Sequence, residues 1–386
     1  MLAVSACASL VILAGGFELA ARVLFANPFG AEGEMAGMYQ NSAESSSVRT
    51  VPGWSGDVTV EGRTVGVHLN RLGLRSPEIG PRRPGELRVL CLGDSFVFGY
   101  GVADDETFPE VLRGLLADRL QRPVVVGNAG VPGYGTVEQA LCLQRLRADF
   151  DPDVVVSTIY IGNDFVEDRD VSRFVEGGFA MKGEWADLLR TSRRARLMLH
   201  SRAWMHVEFH LIESGSPWAL ELKPTATEEL AFMGFPRRDG PGNQCQAGLF
   251  MDIIDPRHSW QTGGPPVVPR VLARTEGSLR SIQASAGSAR VLVVILPSSW
   301  HLDEAGRLEY MTSVGLDPAD YRLGLTQQRL ETLCAKLGLP VVDVTPFARR
   351  LEDPTNLFLP EDHHLNPEGH RFVAGLLADR IATLVP

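Results

Sequence analysis

Four short stretches carry residue types that perform acyl transfer. Gly93-Asp94-Ser95 supplies a hydroxyl. Asp362-His363-His364-Leu365-Asn366 supplies imidazoles and a carboxylate, with Glu361 just before it. Asn128-Ala129-Gly130-Val131-Pro132-Gly133 and Gly162-Asn163-Asp164 supply glycine N–H groups and asparagine amides. A serine hydroxyl is a weak nucleophile until a base takes its proton. A histidine does this near neutral pH, and an oriented carboxylate fixes its tautomer and stabilises the imidazolium. The tetrahedral intermediate carries charge on the former carbonyl oxygen, so preorganised N–H donors must point there. Glycine permits close backbone approach, and an asparagine amide adds a side-chain donor.

These stretches can act together only if the fold brings them to one place. Arg88–Leu92 is a short, mostly apolar run, as expected of a strand buried on both faces. Phe108 to Leu120 has helical spacing. Pro123–Val126 is a second strand, Val137 to Leu146 a helix, and Val154 to Tyr160 a third strand. After a break at residue 165 the pattern returns with a helix near Val271–Ala284, the strand Val291–Leu296, a helix near Thr326–Leu337 and the strand Val341–Val344. A closing helix runs over Pro367–Leu384, with Asn366 as its N-cap. Five strands alternating with helices predict a doubly wound parallel sheet, in which ligands bind at the carboxyl ends of the strands. Three of the stretches are expected just after strands one, two and three. The fourth lies between the last strand and the last helix.

In order and in kind the four stretches resemble the blocks of SGNH/GDSL hydrolases, over roughly residues 67–164 and 286–386. The upstream Leu69-Asn70-Arg71-Leu72-Gly73-Leu74-Arg75 is similar to that of membrane-anchored bacterial members. The resemblance implies a flavodoxin-like α/β/α three-layer fold with Ser95 as nucleophile and His364 as base. Its oxyanion hole would be the Ser95 N–H, the Gly133 N–H and the Asn163 side chain. The usual last block places the acid three residues before the histidine, at Glu361. Members ending Asp-x-His also exist, and Asp362 is favoured over Glu361. His363 is read as a neighbour at the rim.

Other chemistries fit less well. The glycines of 130–135 lack the G-x-G-x-x-G order of a dinucleotide loop. Adjacent histidines point in different directions and no third ligand cluster accompanies them, which argues against a metal site. The formal charge is −10, and the short Arg193-Arg194-Ala195-Arg196 patch reads as a solvated helix face, so no nucleic-acid partner is expected. The five cysteines form no CxxC pair, and Cys91 and Cys142 read as small core residues.

Residues 2–25 are mostly apolar, with Glu18 and Arg22 placed to pair at i, i+4. Residues 1–26 are therefore expected to form a transmembrane anchor, or alternatively a cleaved signal, and 27–56 a linker. Residues 57–386 are expected to form the hydrolase domain, with a cap-like helical and loop insertion at about 165–270. Trp185, Trp204, Trp218 and Trp260 within it read as lid or core packing. The expected activity is hydrolysis of a small-molecule or glycan-linked carboxylic ester through an acyl-enzyme on Ser95, with no cofactor and no metal. By the same resemblance the domain lies outside the cytoplasm, periplasmic or extracellular. Two readings stay open beside it. One is an O-acyltransferase on cell-envelope glycans, which uses the same triad. The other is a non-catalytic envelope scaffold, against which the complete triad counts.

Overall fold

The computed structural model describes residues 2–24, 34–42, 47–167, 173–176, 179–182, 192–214, 216, 218, 249–255, 267–313 and 316–385. Its strands are β1 (Tyr39–Asn41), β2 (Val48–Thr50), β3 (Ser55–Val60), β4 (Arg63–His68), β5 (Leu87–Gly93), β6 (Val124–Gly130), β7 (Val154–Tyr160), β8 (Arg173–Glu176), β9 (Phe179–Lys182), β10 (Arg290–Leu296) and β11 (Val341–Asp343). The helices used below are α1 (Leu2–Leu24), α2 (Ser95–Phe98), α3 (Phe108–Leu120), α4 (Thr136–Phe150), α5 (Asp164–Glu167), α6 (Arg193–His200), α7 (Arg202–Glu213), α8 (Val267–Ala286), α9 (Glu304–Ser313), α10 (Leu325–Leu337), α11 (Thr345–Ala348) and α12 (Pro367–Leu384).

β5 and β7 bury every residue, because each is covered by helices on both faces. Together with β6, β10 and β11 they form a parallel sheet in the order β11-β10-β7-β5-β6. Numbered along the chain, that is the 2-1-3-4-5 order of the flavodoxin-like fold, with its switch point between β5 and β7. One apolar cluster packs α4, α8 and α10 on one face of the sheet. A second packs α3 and α12 on the other. The predicted three-layer α/β/α architecture with five parallel strands is thus the observed one.

β6 runs further than the Pro123–Val126 expectation. Asn128-Ala129-Gly130 lies within the strand, where Gly130 pairs with Gly93. Pairing with β5 overrides the low strand propensity of asparagine and glycine. Gly130 has a steric reason as well: a Cβ there would overlap the backbone of Val97 and Phe98 in the nucleophile turn.

β3 and β4 form a hairpin, with Glu61 and Gly62 both at positive φ, as a two-residue type I′ turn requires. Part of the stretch read as a linker, 27–56, is instead folded. β1 and β2 pair, and Met35, Met38 and Val48 are buried. Met35 and Met38 pack on Phe98 and the β3–β4 hairpin. These strands are three residues long, too short to show a period.

α1 forms over the apolar N-terminal run, but the transmembrane reading of it is not supported. Among the described residues no helix is long and apolar enough to cross a membrane. Within α1, Glu18 is tied to the insertion. Its carboxylate accepts from the Ser201 hydroxyl (2.8 Å), the Arg202 and Ala203 amides (2.9 and 3.1 Å) and Arg22 (2.6 Å). It therefore caps α7, and Ala21 is buried beside it.

In the insertion, β8 and β9 form an antiparallel hairpin that lies against β1. Arg193 and Arg196 are exposed, while Arg194 turns inward to the buried Glu208, so the arginine patch is solvated only in part. Trp204 is half-buried and Trp218 exposed. Trp185 and Trp260 lie outside the described residues. Cys91, Cys142 and Cys334 are free and buried.

Candidate active site

Strand β5 ends at Gly93, and the chain turns at once into α2. Asp94 caps this short helix, its carboxylate accepting the Phe96 amide at 2.9 Å. Ser95 is therefore the first helical residue, with an N–H that has no partner inside the helix. The loop that follows is held from below by Arg75. Its buried guanidinium donates to the carbonyls of Phe98 (3.1 Å), Gly99 (2.6 Å) and Val102 (2.7 Å) and to Asp104 (2.7 Å).

The base arrives from the other end of the chain. The Leu359 amide donates to the His364 carbonyl at 2.7 Å, and Asn366 caps α12 through the Glu368 and Gly369 amides. Between them His363 takes φ +67°, a left-handed conformation uncommon for a non-glycine residue. That turn swings His364 over the nucleophile. His364 Nε2 lies 2.7 Å from Ser95 Oγ, across 269 residues of sequence. The ring sits between Phe96 and Tyr100, with centroids at 4.7 and 4.8 Å.

Asp362 Oδ1 meets His364 Nδ1 and also accepts the His364 amide at 3.3 Å. A carboxylate at Nδ1 fixes the proton there and leaves Nε2 to accept from the serine; the tautomer is assigned from this network. Burial pushes the Asp362 carboxyl up, but the hydrogen bond and charge of His364 outweigh it and hold it below the usual range. Glu361 is exposed, and the carboxylate bonded to His364 is that of Asp362. Glu61 clamps this loop through the Glu361 and Asp362 amides, both at 2.7 Å.

Three donors face the same carboxyl edge of the sheet. Ser95 N–H opens α2. Gly133, at φ +77°, lies in the turn between β6 and α4, and Asn163 follows β7. Among the described residues neither the Ser95 N–H nor the Gly133 N–H has a hydrogen-bond partner, and the Asn163 side-chain oxygen is buried without one. Polar groups are rarely left uncommitted in this way, and a site that binds a transient oxyanion needs donors of this kind.

Sequence reading missed several residues around the triad. His370 accepts the Phe108 amide at 3.1 Å, and full burial, with Arg75 and His364 nearby, pulls it down to about 3. Arg75 was within a quoted stretch, and its one legible signal was a charge beside Leu72 and Leu74. Glu61 showed none.

A second serine–histidine–aspartate set occurs elsewhere. His301 lies 2.7 Å from Ser298 through Nδ1 and 3.2 Å from Asp252 through Nε2. Ser298 is 0% exposed against 6% for Ser95, and Asp252 also holds the Thr326 amide and hydroxyl. That set ties the end of the insertion to α10. Among the described residues no group of three or more His, Cys, Asp or Glu is placed to hold a metal ion.

Residues 91–231 match the GDSL-like lipase/acylhydrolase family. The match supports membership of the GDSL/SGNH acylhydrolases. It covers the nucleophile block and the two donor blocks of this GDSL-like chain, and stops short of Asp362 and His364. No curated protein matches the chain. Among solved structures, the chain is similar to a lipase/acylhydrolase from Enterococcus faecalis, at 14% identity over 78% of this chain and 97% of that one, TM-score 0.36. A lipolytic protein of the G-D-S-L family from Veillonella parvula gives 12% identity over 76% and 97%, TM-score 0.36. A two-domain esterase active on acetylated mannans gives 14% over 78% and 50%, TM-score 0.36. Likenesses this distant carry no argument about substrate.

Proposed function

We propose that this GDSL-like protein hydrolyses a carboxylic ester through an acyl-enzyme on Ser95. One observation carries the reading: Ser95 Oγ, His364 and Asp362 form a continuous hydrogen-bonded chain, in the order nucleophile, base, acid. His364 Nε2 takes the Ser95 proton as Oγ attacks the ester carbonyl carbon. The carbonyl π electrons move to oxygen, and the oxyanion is received by the Ser95 and Gly133 N–H groups and the Asn163 amide. Each such donor is worth about 3–4 kcal/mol of barrier. The intermediate collapses, the alcohol leaves with the proton from His364, and an acyl ester remains on Ser95. Water, deprotonated by His364, then attacks that ester; the acyl C–O bond breaks, His364 returns the proton to Ser95 Oγ, and the carboxylic acid is released. Asp362 stabilises the imidazolium in both halves.

The test uses the full chain. p-Nitrophenyl acetate and butyrate hydrolysis is followed for wild type and Ser95→Ala, with fluorophosphonate labelling alongside. Turnover and labelling that both vanish in the variant support the reading. A folded wild type that neither turns over nor labels would overturn it.

A further inference from the structure

The insertion does more than flank the site: it reaches the oxyanion side directly. Gly133 lies in the turn Val131–Gly135, which is fastened at several points. The Val131 amide binds the Gly93 carbonyl (3.1 Å), the Tyr134 amide binds the Val131 carbonyl (3.0 Å), and the Tyr134 hydroxyl donates to the Val48 carbonyl (2.5 Å). The Gly135 amide binds Glu138 Oε2 at 2.8 Å. The remaining handle on Gly133 is its own carbonyl, and Arg173 of β8 donates to it. The same guanidinium fills the space beside Gly133, with Nη1 2.5 Å from where a Cβ would stand.

Glu138 balances this arginine. Its Oε1 lies 3.4 Å from Arg173 Nε and accepts the Ser47 hydroxyl at 2.9 Å, and the carboxylate is 1% exposed. Burying such a pair costs desolvation, and a neutral donor would satisfy one carbonyl at less cost. A guanidinium offers more at this position. Its planar fork pins a peptide group firmly, and its charge lies next to the turn where negative charge would develop.

We infer that Arg173 is a positioning residue for the Gly133 N–H, with Glu138 as its counter-charge. The inference rests on the reading of Gly133 as an oxyanion donor. It makes the β8–β9 hairpin part of the apparatus that lowers the barrier: displacing the hairpin releases the Gly133–Tyr134 peptide and frees the backbone torsions at Gly133 that set the direction of its N–H.

The experiment compares full-length wild type, Arg173→Met and Arg173→Lys. kcat and KM for p-nitrophenyl acetate are expressed per active site counted by fluorophosphonate, with exchange of the Tyr134 and Gly135 amides measured in parallel. For Arg173→Met, kcat per active site is expected to fall about tenfold or more, within the range for a disturbed oxyanion donor, with KM within about twofold. The two amides exchange faster, and Arg173→Lys recovers part of kcat. A merely structural role would lower the number of titratable sites and leave kcat per site unchanged, and that result overturns the inference. Unchanged amide exchange also overturns it. A wild type without esterase activity would sink the hydrolase reading instead, while the exchange comparison, which needs no turnover, still decides whether Arg173 holds the turn.

Discussion

Glu61, at the tip of the β3–β4 turn, accepts the amides of Glu361 and Asp362, 300 and 301 residues further along the chain, at 2.7 Å each. The carboxylate that orients His364 is thus itself oriented by a hairpin far from it in sequence. Glu61→Ala should release the loop. If about 1 kcal/mol of orientation is lost, kcat falls about fivefold with KM little changed. Glu61→Gln keeps an acceptor and should stay near wild type. Steady-state kinetics on an activated ester decide between the two; an Ala variant as fast as wild type would show that the clamp does not matter.

Asp362 and Glu361 are separated by the same assay. Asp362→Asn removes the charge that stabilises the imidazolium and lets the wrong tautomer form. A loss of about 10³- to 10⁴-fold in kcat is expected. Glu361→Gln should stay within about twofold, because its side chain faces solvent. The reverse order would return the acid role to Glu361.

His370 gives the fold a pH dependence of its own. Its folded pKa is lowered from 6.5 to about 3 by burial and by the charges of Arg75 and His364. Between those values the unfolded chain binds a proton that the folded chain refuses. Its contribution is therefore fully present above about pH 6.5 and is lost as pH falls toward about 3, by up to about 1.4 kcal/mol per pH unit. His370→Asn can still accept the Phe108 amide and cannot protonate. Urea unfolding from pH 7 to 4 should show a shallower loss for the variant; parallel slopes would rule this contribution out.

Arg75→Met removes the donor for three buried carbonyls. Asp104 is partly solvated, so the carbonyls account for most of the damage, about 3 kcal/mol. Denaturant midpoints measure it. Because those carbonyls belong to the loop after α2, the rate of fluorophosphonate labelling at Ser95 should fall as well, even where the variant is fully folded.

The central sheet was legible because β5, β7 and β10 are mostly apolar runs bounded by turns, and the chemical blocks follow strands. The strand order, and so the meeting of the β5 and β7 ends at the switch point, came only from the three-dimensional pairing. β1 and β2 escaped because strands of three residues carry no period, and their burial depends on Met35, Met38 and the β8–β9 hairpin. Glu61, Arg75 and Arg173 escaped for a common reason. Each acts on backbone carbonyls or amides, which leave no trace in side-chain patterns. Asp362 was already favoured over Glu361 on the sequence, and the left-handed turn at His363 is what sets the Asp362 carboxylate against His364.

The two halves of the proposed triad lie 269 residues apart, and the later half is held in place by α12 packing against α3. During synthesis the ribosome therefore delivers the serine long before its base. Until α12 has emerged and docked, Ser95 is an ordinary alcohol. On the proposed reading, the nascent chain has no reactivity toward esters until that docking is complete.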